Sequence, residues 1–261
     1  MLNFPKTGSS FARKVIEQVY AERSSKARRL LEKFRICNPS VMELMLPKID
    51  EKLHYNIKDQ HGTLRQIPKA HRDKPIVSIT RNPILRYEST YQFRWWERNP
   101  PADMEIILKR YPHFPNLSFS EYYEMIHIYG RQNRLSNIAP KLDLGLHTIQ
   151  FIQFYFDDPE SVLRKIDNAY IDEERFRGDM KSISFLHQES LNSNLRDFLL
   201  HIGFKENQVG FIDSMGRINV TEKKQENSEC EKLSLENGIQ NTIIERDRLL
   251  FKIFPEYLPK D

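Results

Sequence analysis

The segment Phe4-Pro5-Lys6-Thr7-Gly8-Ser9-Ser10-Phe11 packs a cation, a glycine and three hydroxyls into five positions, and a helical pattern follows at once. Such a set can hold an anion. The first amides of a helix lack internal acceptors and carry partial positive charge. Lys6 adds a full charge, and Thr7, Ser9 and Ser10 can donate from their hydroxyls. Gly8 lets the backbone come close to an oxygen. The spacing GxxxxGK[ST] of kinase and GTPase loops is not present, because the lysine precedes the glycine. On its own the segment leaves two readings open, an anion loop or an ordinary capped helix beside a lysine.

A second set lies in IVSITRNPILRYESTY, residues 76–91. Arg81 follows directly on an apolar run, and Ser89 lies about two helical turns further on. Both can reach one anion beyond the carboxyl end of the strand, the edge where open α/β sheets bind ligands. Arg81 offers paired donors and Ser89 a hydroxyl. Arg86 and Tyr91 can add charge and packing. The alternative is a surface helix carrying ordinary arginines.

Several elements must position these residues. Leu2 to Phe4 suits a brief strand, and Phe11, Val15, Ile16, Val19 and Tyr20 recur at helical spacing, predicting a helix that continues to about Phe34. A second helical region is expected over 36–60, with Val41, Leu44, Met45 and Ile49 on one face. PIVSIT, residues 75–80, reads as a buried strand, and Pro83 fits the first turn of the helix after it. Trp95 and Trp96, with Tyr91 and Phe93, form an aromatic group suited to core packing or to lining an acceptor pocket. The prolines between 99 and 117 suggest a surface excursion, 118–129 a helix and 131–145 a loop. Leu146 to Phe156 is ambiguous between strand and helix. Asp158-Pro159 opens another helix, and 182–190 reads as a strand running into a helix. Residues 213–238 are polar and loop-like. A closing helix spans Ile239 to Phe254, with Glu245, Arg246, Asp247 and Arg248 as a charged face. Strands alternating with helices predict an α/β fold with a largely parallel sheet.

At 261 residues, 39% hydrophobic and 29% charged, the chain suits a globular protein of one domain, expected over 1–261 with insertions at about 36–70 and 98–145. The longest apolar runs are too short to span a bilayer, so stable membrane insertion is not expected. No secretory signal is visible. The two cysteines, Cys37 and Cys230, lack metal-ligand spacing, and a reducing cytoplasm is the simplest compartment. A net charge of +4 is too mild to predict nucleic-acid binding.

FPKTGSSF resembles the 5′-phosphosulfate loop of the sulfotransferase family, and SITRNPILRYESTY resembles its 3′-phosphate motif. SFLHQESLNSNL, GRINVTEKK and ERDRLLF are similar to later segments of that family, so the likeness runs from residue 4 to about 254. It implies a three-layer, P-loop-like α/β fold with a central, mainly parallel sheet flanked by helices. It implies transfer of a sulfuryl group from 3′-phosphoadenosine-5′-phosphosulfate to a hydroxyl or amine acceptor, a small molecule or glycan, releasing adenosine 3′,5′-bisphosphate without a metal. Lys6, Thr7, Gly8, Ser9, Ser10 and Phe11 would then hold the phosphosulfate, with Lys6 stabilising the leaving group, and Arg81 and Ser89 would hold the 3′-phosphate. By the same resemblance His71, in Lys69-Ala70-His71, is the expected general base, with His54, His61 and Glu17 as alternatives. Arg217, Lys223 or Lys224 would close over the phosphates. Two other readings are a phosphate-loop kinase for a small metabolite and a non-catalytic nucleotide-binding protein of the same fold. The residues leave the acceptor undefined.

Overall fold

The computed structural model of the chain describes residues 1–34, 36–37, 46–47, 58–59, 61–216 and 237–259. In chain order the elements are α1 (Ser9–Arg23), α2 (Lys26–Lys33), β1 (Leu46–Pro47), β2 (Lys58–Asp59), β3 (Val77–Thr80), α3 (Pro83–Phe93), α4 (Trp95–Arg98), α5 (Met104–Arg110), α6 (Phe119–Met125), α7 (Arg131–Leu135), α8 (Leu146–Tyr155), α9 (Pro159–Lys165), α10 (Asn168–Asp172), α11 (Phe176–Asp179), β4 (Ser184–His187), α12 (Leu191–His201), α13 (Glu206–Val209), α14 (Asn237–Arg246) and α15 (Arg248–Ile253). A π-helical turn, Ile126–Gly130, joins α6 to α7.

This architecture corrects the expected three-layer α/β fold. The chain is predominantly helical, and among the described residues each sheet has two strands: β1 with β2, antiparallel, and β3 with β4, parallel. The register of the second pair runs from Val77 opposite Ser184 to Thr80 opposite His187. Leu2 to Phe4, expected as a strand, is an extended segment held beside β3 by one backbone bond, Leu2 N–H to the Val77 carbonyl at 2.8 Å.

The chain divides into two compact units. The first comprises residues 1–62, 70–81 and 183–226, and the second 63–69, 82–182 and 227–261. In the first, every residue of β3 is buried, which is why its β-branched run reads so clearly as a strand. Val77 and Ile79 meet Phe11, Ala12, Val15 and Val19 of α1, Leu186 of β4, and Leu191, Leu195 and Leu199 of α12 in one apolar core. The helix expected to run to Phe34 breaks at Ser24 and Ser25. The Ser25 hydroxyl then accepts from the Arg28 amide and starts α2 afresh. The helical face expected over 36–60, with Val41, Leu44, Met45 and Ile49, lies outside the described residues, as does most of the loop expected over 213–238.

In the second unit, Asn82 caps α3 by accepting from the amides of Ile84 and Leu85, with Pro83 at the first helical position. Trp96 is buried and stacks on Tyr91, whose hydroxyl donates to the Leu117 carbonyl at 2.7 Å. Trp95 is half exposed. The ambiguous run at 146–156 is α8, seven of whose ten residues are buried. The stretches read as an excursion and a loop contain α5 and α7.

Candidate functional site

The Lys6 loop sits at the N-terminal end of α1, on the carboxyl side of β3. Its approach is pinned at several points. The Ser78 hydroxyl donates to the Leu2 carbonyl at 3.1 Å, and Phe4 is buried. His61 Nδ1 lies 2.8 Å from the Asn3 carbonyl, a contact that requires the Nδ1–H form. The Thr7 hydroxyl turns inward and donates to the Phe4 carbonyl at 2.8 Å, closing the loop on itself. Two residues within three positions adopt left-handed backbone, Lys6 at φ 63° and Gly8 at φ 91°. For Gly8 this costs nothing. For Lys6 it is a conformation that L side chains avoid, and it persists because the flanking contacts impose it. A Cβ on Gly8 would also lie 3.2 Å from Gln188 Cγ and from Leu191 Cδ2, so the loop rests directly on the β4–α12 connection.

These restraints present a cationic turn. Arg81, immediately after β3, donates from Nη1 to the Lys6 carbonyl at 3.4 Å. The Lys6 ammonium is pushed below its ordinary pKa, first by burial and then by the positive charge of Arg81. Two cations are thus held at the start of a fifteen-residue helix with no acidic residue in its first turn. The amides of Ser9 and Ser10, the first two of that helix, have no intrahelical acceptor. The Phe11 amide is taken by the Gly8 carbonyl at 3.0 Å, and the Phe11 ring is part of the core. The turn can therefore offer an ammonium, a guanidinium and two amides to one anion.

The remaining expected site residues are His71, Ser89, Arg217 and Lys223. His71 ends an exposed 3-10 turn, Lys69–His71, and its carbonyl accepts from the Lys74 amide. Ser89 is half-buried on α3 in the second unit. Arg217 and Lys223, with Lys224 and His54, lie outside the described residues. Arg86, expected to lend charge to the anion, is buried instead. It donates from Nη2 to Gln150 Oε1 at 2.7 Å, and burial lowers its pKa to about 10.

Arg86 stands near a polar cluster that sequence reasoning missed. Asp247 is fully buried. Its Oδ2 accepts from the Tyr87 hydroxyl at 2.9 Å and its Oδ1 from the Thr148 amide at 2.7 Å. The Tyr87 oxygen also accepts from the His147 amide at 3.2 Å, and the two rings stack with centroids 3.5 Å apart. Burial raises the Asp247 pKa to about 6, against the opposing hydrogen bonds from Thr148 and Tyr87. Asp247 thereby caps the first turn of α8 from a distant part of the chain. In the sequence ERDR reads as one charged face; in the structure its third member lies at the break between α14 and α15 and is buried.

No protein family, curated protein or solved structure matches the chain. The sulfotransferase resemblance is corrected by the architecture. That assignment presupposes a wide parallel sheet carrying the nucleotide, whereas the described residues form a mostly helical protein in which β3 pairs with β4 alone. Sulfuryl transfer, the 3′-phosphoadenosine-5′-phosphosulfate donor, the adenosine 3′,5′-bisphosphate product, and the kinase and nucleotide-binding alternatives that assume the same fold all fall with it. Among the described residues no group of three His, Cys, Asp or Glu side chains could hold a metal, and no helix is long and apolar enough to cross a membrane.

Proposed function

We propose that the first unit binds a ligand through one tetrahedral oxyanion, a phosphate or sulfate group, held by Lys6, Arg81 and the Ser9 and Ser10 amides. The observation that carries this reading is the Arg81–Lys6 contact: the guanidinium donates to the Lys6 carbonyl and its charge lowers the Lys6 pKa, so two cations lie close together beside one helix start, an arrangement that suits an anion. The strained backbone at Lys6 supports it, since strain of this kind gathers at ligand clamps. The reading is one of binding and needs neither His71 nor Ser89. The cytoplasm remains our proposed compartment, on the small number of cysteines.

The test is calorimetry and thermal melting with inorganic phosphate, sulfate and pyrophosphate, against chloride at equal ionic strength. A polyvalent oxyanion is expected to bind and to raise the melting temperature. Lys6→Ala and Arg81→Ala should each weaken binding by about tenfold or more, as loss of a charge-assisted hydrogen bond does. Affinity should fall as pH rises through the lowered Lys6 pKa, and Arg81→Gln should move that fall to higher pH. If polyvalent oxyanions act no differently from chloride, or if both variants bind like the parent, the reading is wrong.

A further inference from the structure

Helix α2 buries none of its eight residues. An isolated helix this short is marginal in water, because helices in proteins are stabilised chiefly by packing an apolar face. Among the described residues its local support includes the Ser25 cap and the Arg28–Glu32 pair one turn apart, at 3.1 Å. The apolar face nevertheless exists. Leu30 is 57% exposed, Leu31 41% and Phe34, at the helix end, 64%. At 3.6 residues per turn these three fall within an arc of about 100°. Lys26, Arg29 and Lys33 lie along one flank of that arc and Arg28 beyond the other. Ile36, just past the helix, is 70% exposed and extends the apolar patch.

We propose that α2 docks on an anionic phospholipid surface. The occupant is chosen by the arrangement of charge. An apolar stripe flanked on one side by Lys26, Arg29 and Lys33, with the Arg28–Glu32 pair on the other, suits a helix lying in the headgroup plane, with its apolar side chains among the acyl chains and the cations of the first flank reaching back to phosphates. A nucleic acid would pair the cations and leave Leu30, Leu31 and Phe34 in water. An acidic protein groove would satisfy both features only with a matching shape, whereas a bilayer conforms to any such helix. The mode is adsorption, in keeping with the lack of a membrane-crossing helix among the described residues. It is independent of the oxyanion reading.

The experiment is co-sedimentation of the full chain with vesicles of phosphatidylcholine alone or of equal parts phosphatidylcholine and phosphatidylserine. Binding is expected to the mixed vesicles, to weaken with added salt, and to be absent from the neutral ones. The exposed double variants Leu30→Ser/Leu31→Ser and Arg29→Glu/Lys33→Glu, both expected to melt like the parent, should each lower partitioning by about tenfold or more. Lys6→Ala/Arg81→Ala should partition like the parent, which separates this surface from the oxyanion loop. No binding to mixed vesicles overturns the proposal. So does binding that the leucine variant retains, since that is charge attraction alone, or binding abolished by Lys6→Ala/Arg81→Ala. A self-associated chain that the leucine variant turns monomeric would assign the face to a second copy and also overturn it.

Discussion

The hydroxyl of Tyr87 donates to the fully buried carboxylate of Asp247 at 2.9 Å, joining positions 160 residues apart in the chain. Burial raises the Asp247 pKa from 3.8 to about 6, so the folded chain takes up a proton there more readily than the unfolded chain does. The stability linked to this group is therefore greatest below pH 3.8, falls as pH rises towards about 6, and is flat above. The difference across that window is roughly 3 kcal/mol. Asp247→Asn keeps an acceptor for the Thr148 amide and removes the titration. Urea midpoints of the two proteins should diverge in slope between pH 4 and 6, the parent losing stability relative to the variant as pH rises. Parallel curves would show that Asp247 does not titrate in the folded protein as its burial implies.

Gly145 is held against the same carboxylate. A Cβ at this position would lie 2.3 Å from Asp247 Oδ1, although the backbone conformation itself, φ −65° and ψ 153°, suits any residue. Gly145→Ala should therefore destabilise through the clash, by about 2 kcal/mol or more. Asp247→Ala should cost about 3 kcal/mol, because it leaves the Tyr87 hydroxyl and the Thr148 amide buried without their acceptor. In the double variant the clash is gone, so the two costs should not add. A thermodynamic cycle showing simple additivity would mean that the carboxylate moves aside freely.

The parts of this fold legible in the sequence were those set by local chemistry. β3 announced itself through its β-branched run, and α3 through Pro83, whose fixed φ suits a first helical turn; the Asn82 cap before it appears only in the structure. The extent of the sheet was not legible. Strands read at Leu2 to Phe4, 75–80 and 182–190 between helices suggested a wider parallel sheet, and a run such as Leu146 to Phe156 is apolar on almost every side of α8 and so carries neither the period of a helix nor that of a strand. The Asp247 cluster was hidden for a different reason. Its hydrogen bonds join positions 60 to 160 residues apart, and Asp247 looks like any other charge in Glu245-Arg246-Asp247-Arg248. The Lys6 loop was visible as a combination of residue types. Its left-handed turn at Lys6, and its rest on Gln188 and Leu191, follow only from tertiary packing.

That left-handed turn separates stability from binding. Glycine in place of alanine ordinarily costs a folded chain about 0.5–1 kcal/mol of conformational entropy. At residue 6 the order should reverse, because a φ of 63° penalises any residue with a Cβ by about 1–2 kcal/mol. Lys6→Gly should therefore be at least as stable as Lys6→Ala in chemical denaturation, while both lose the affinity for polyvalent oxyanions. Gly8→Ala makes the complementary case. At φ 91°, with Gln188 and Leu191 3.2 Å from the new methyl, it should lower stability by about 1–2 kcal/mol and weaken anion binding with every cation still in place. If Lys6→Ala proved clearly more stable than Lys6→Gly, the turn at Lys6 would not be left-handed in solution, and the argument that strain marks this loop as a ligand clamp would be lost.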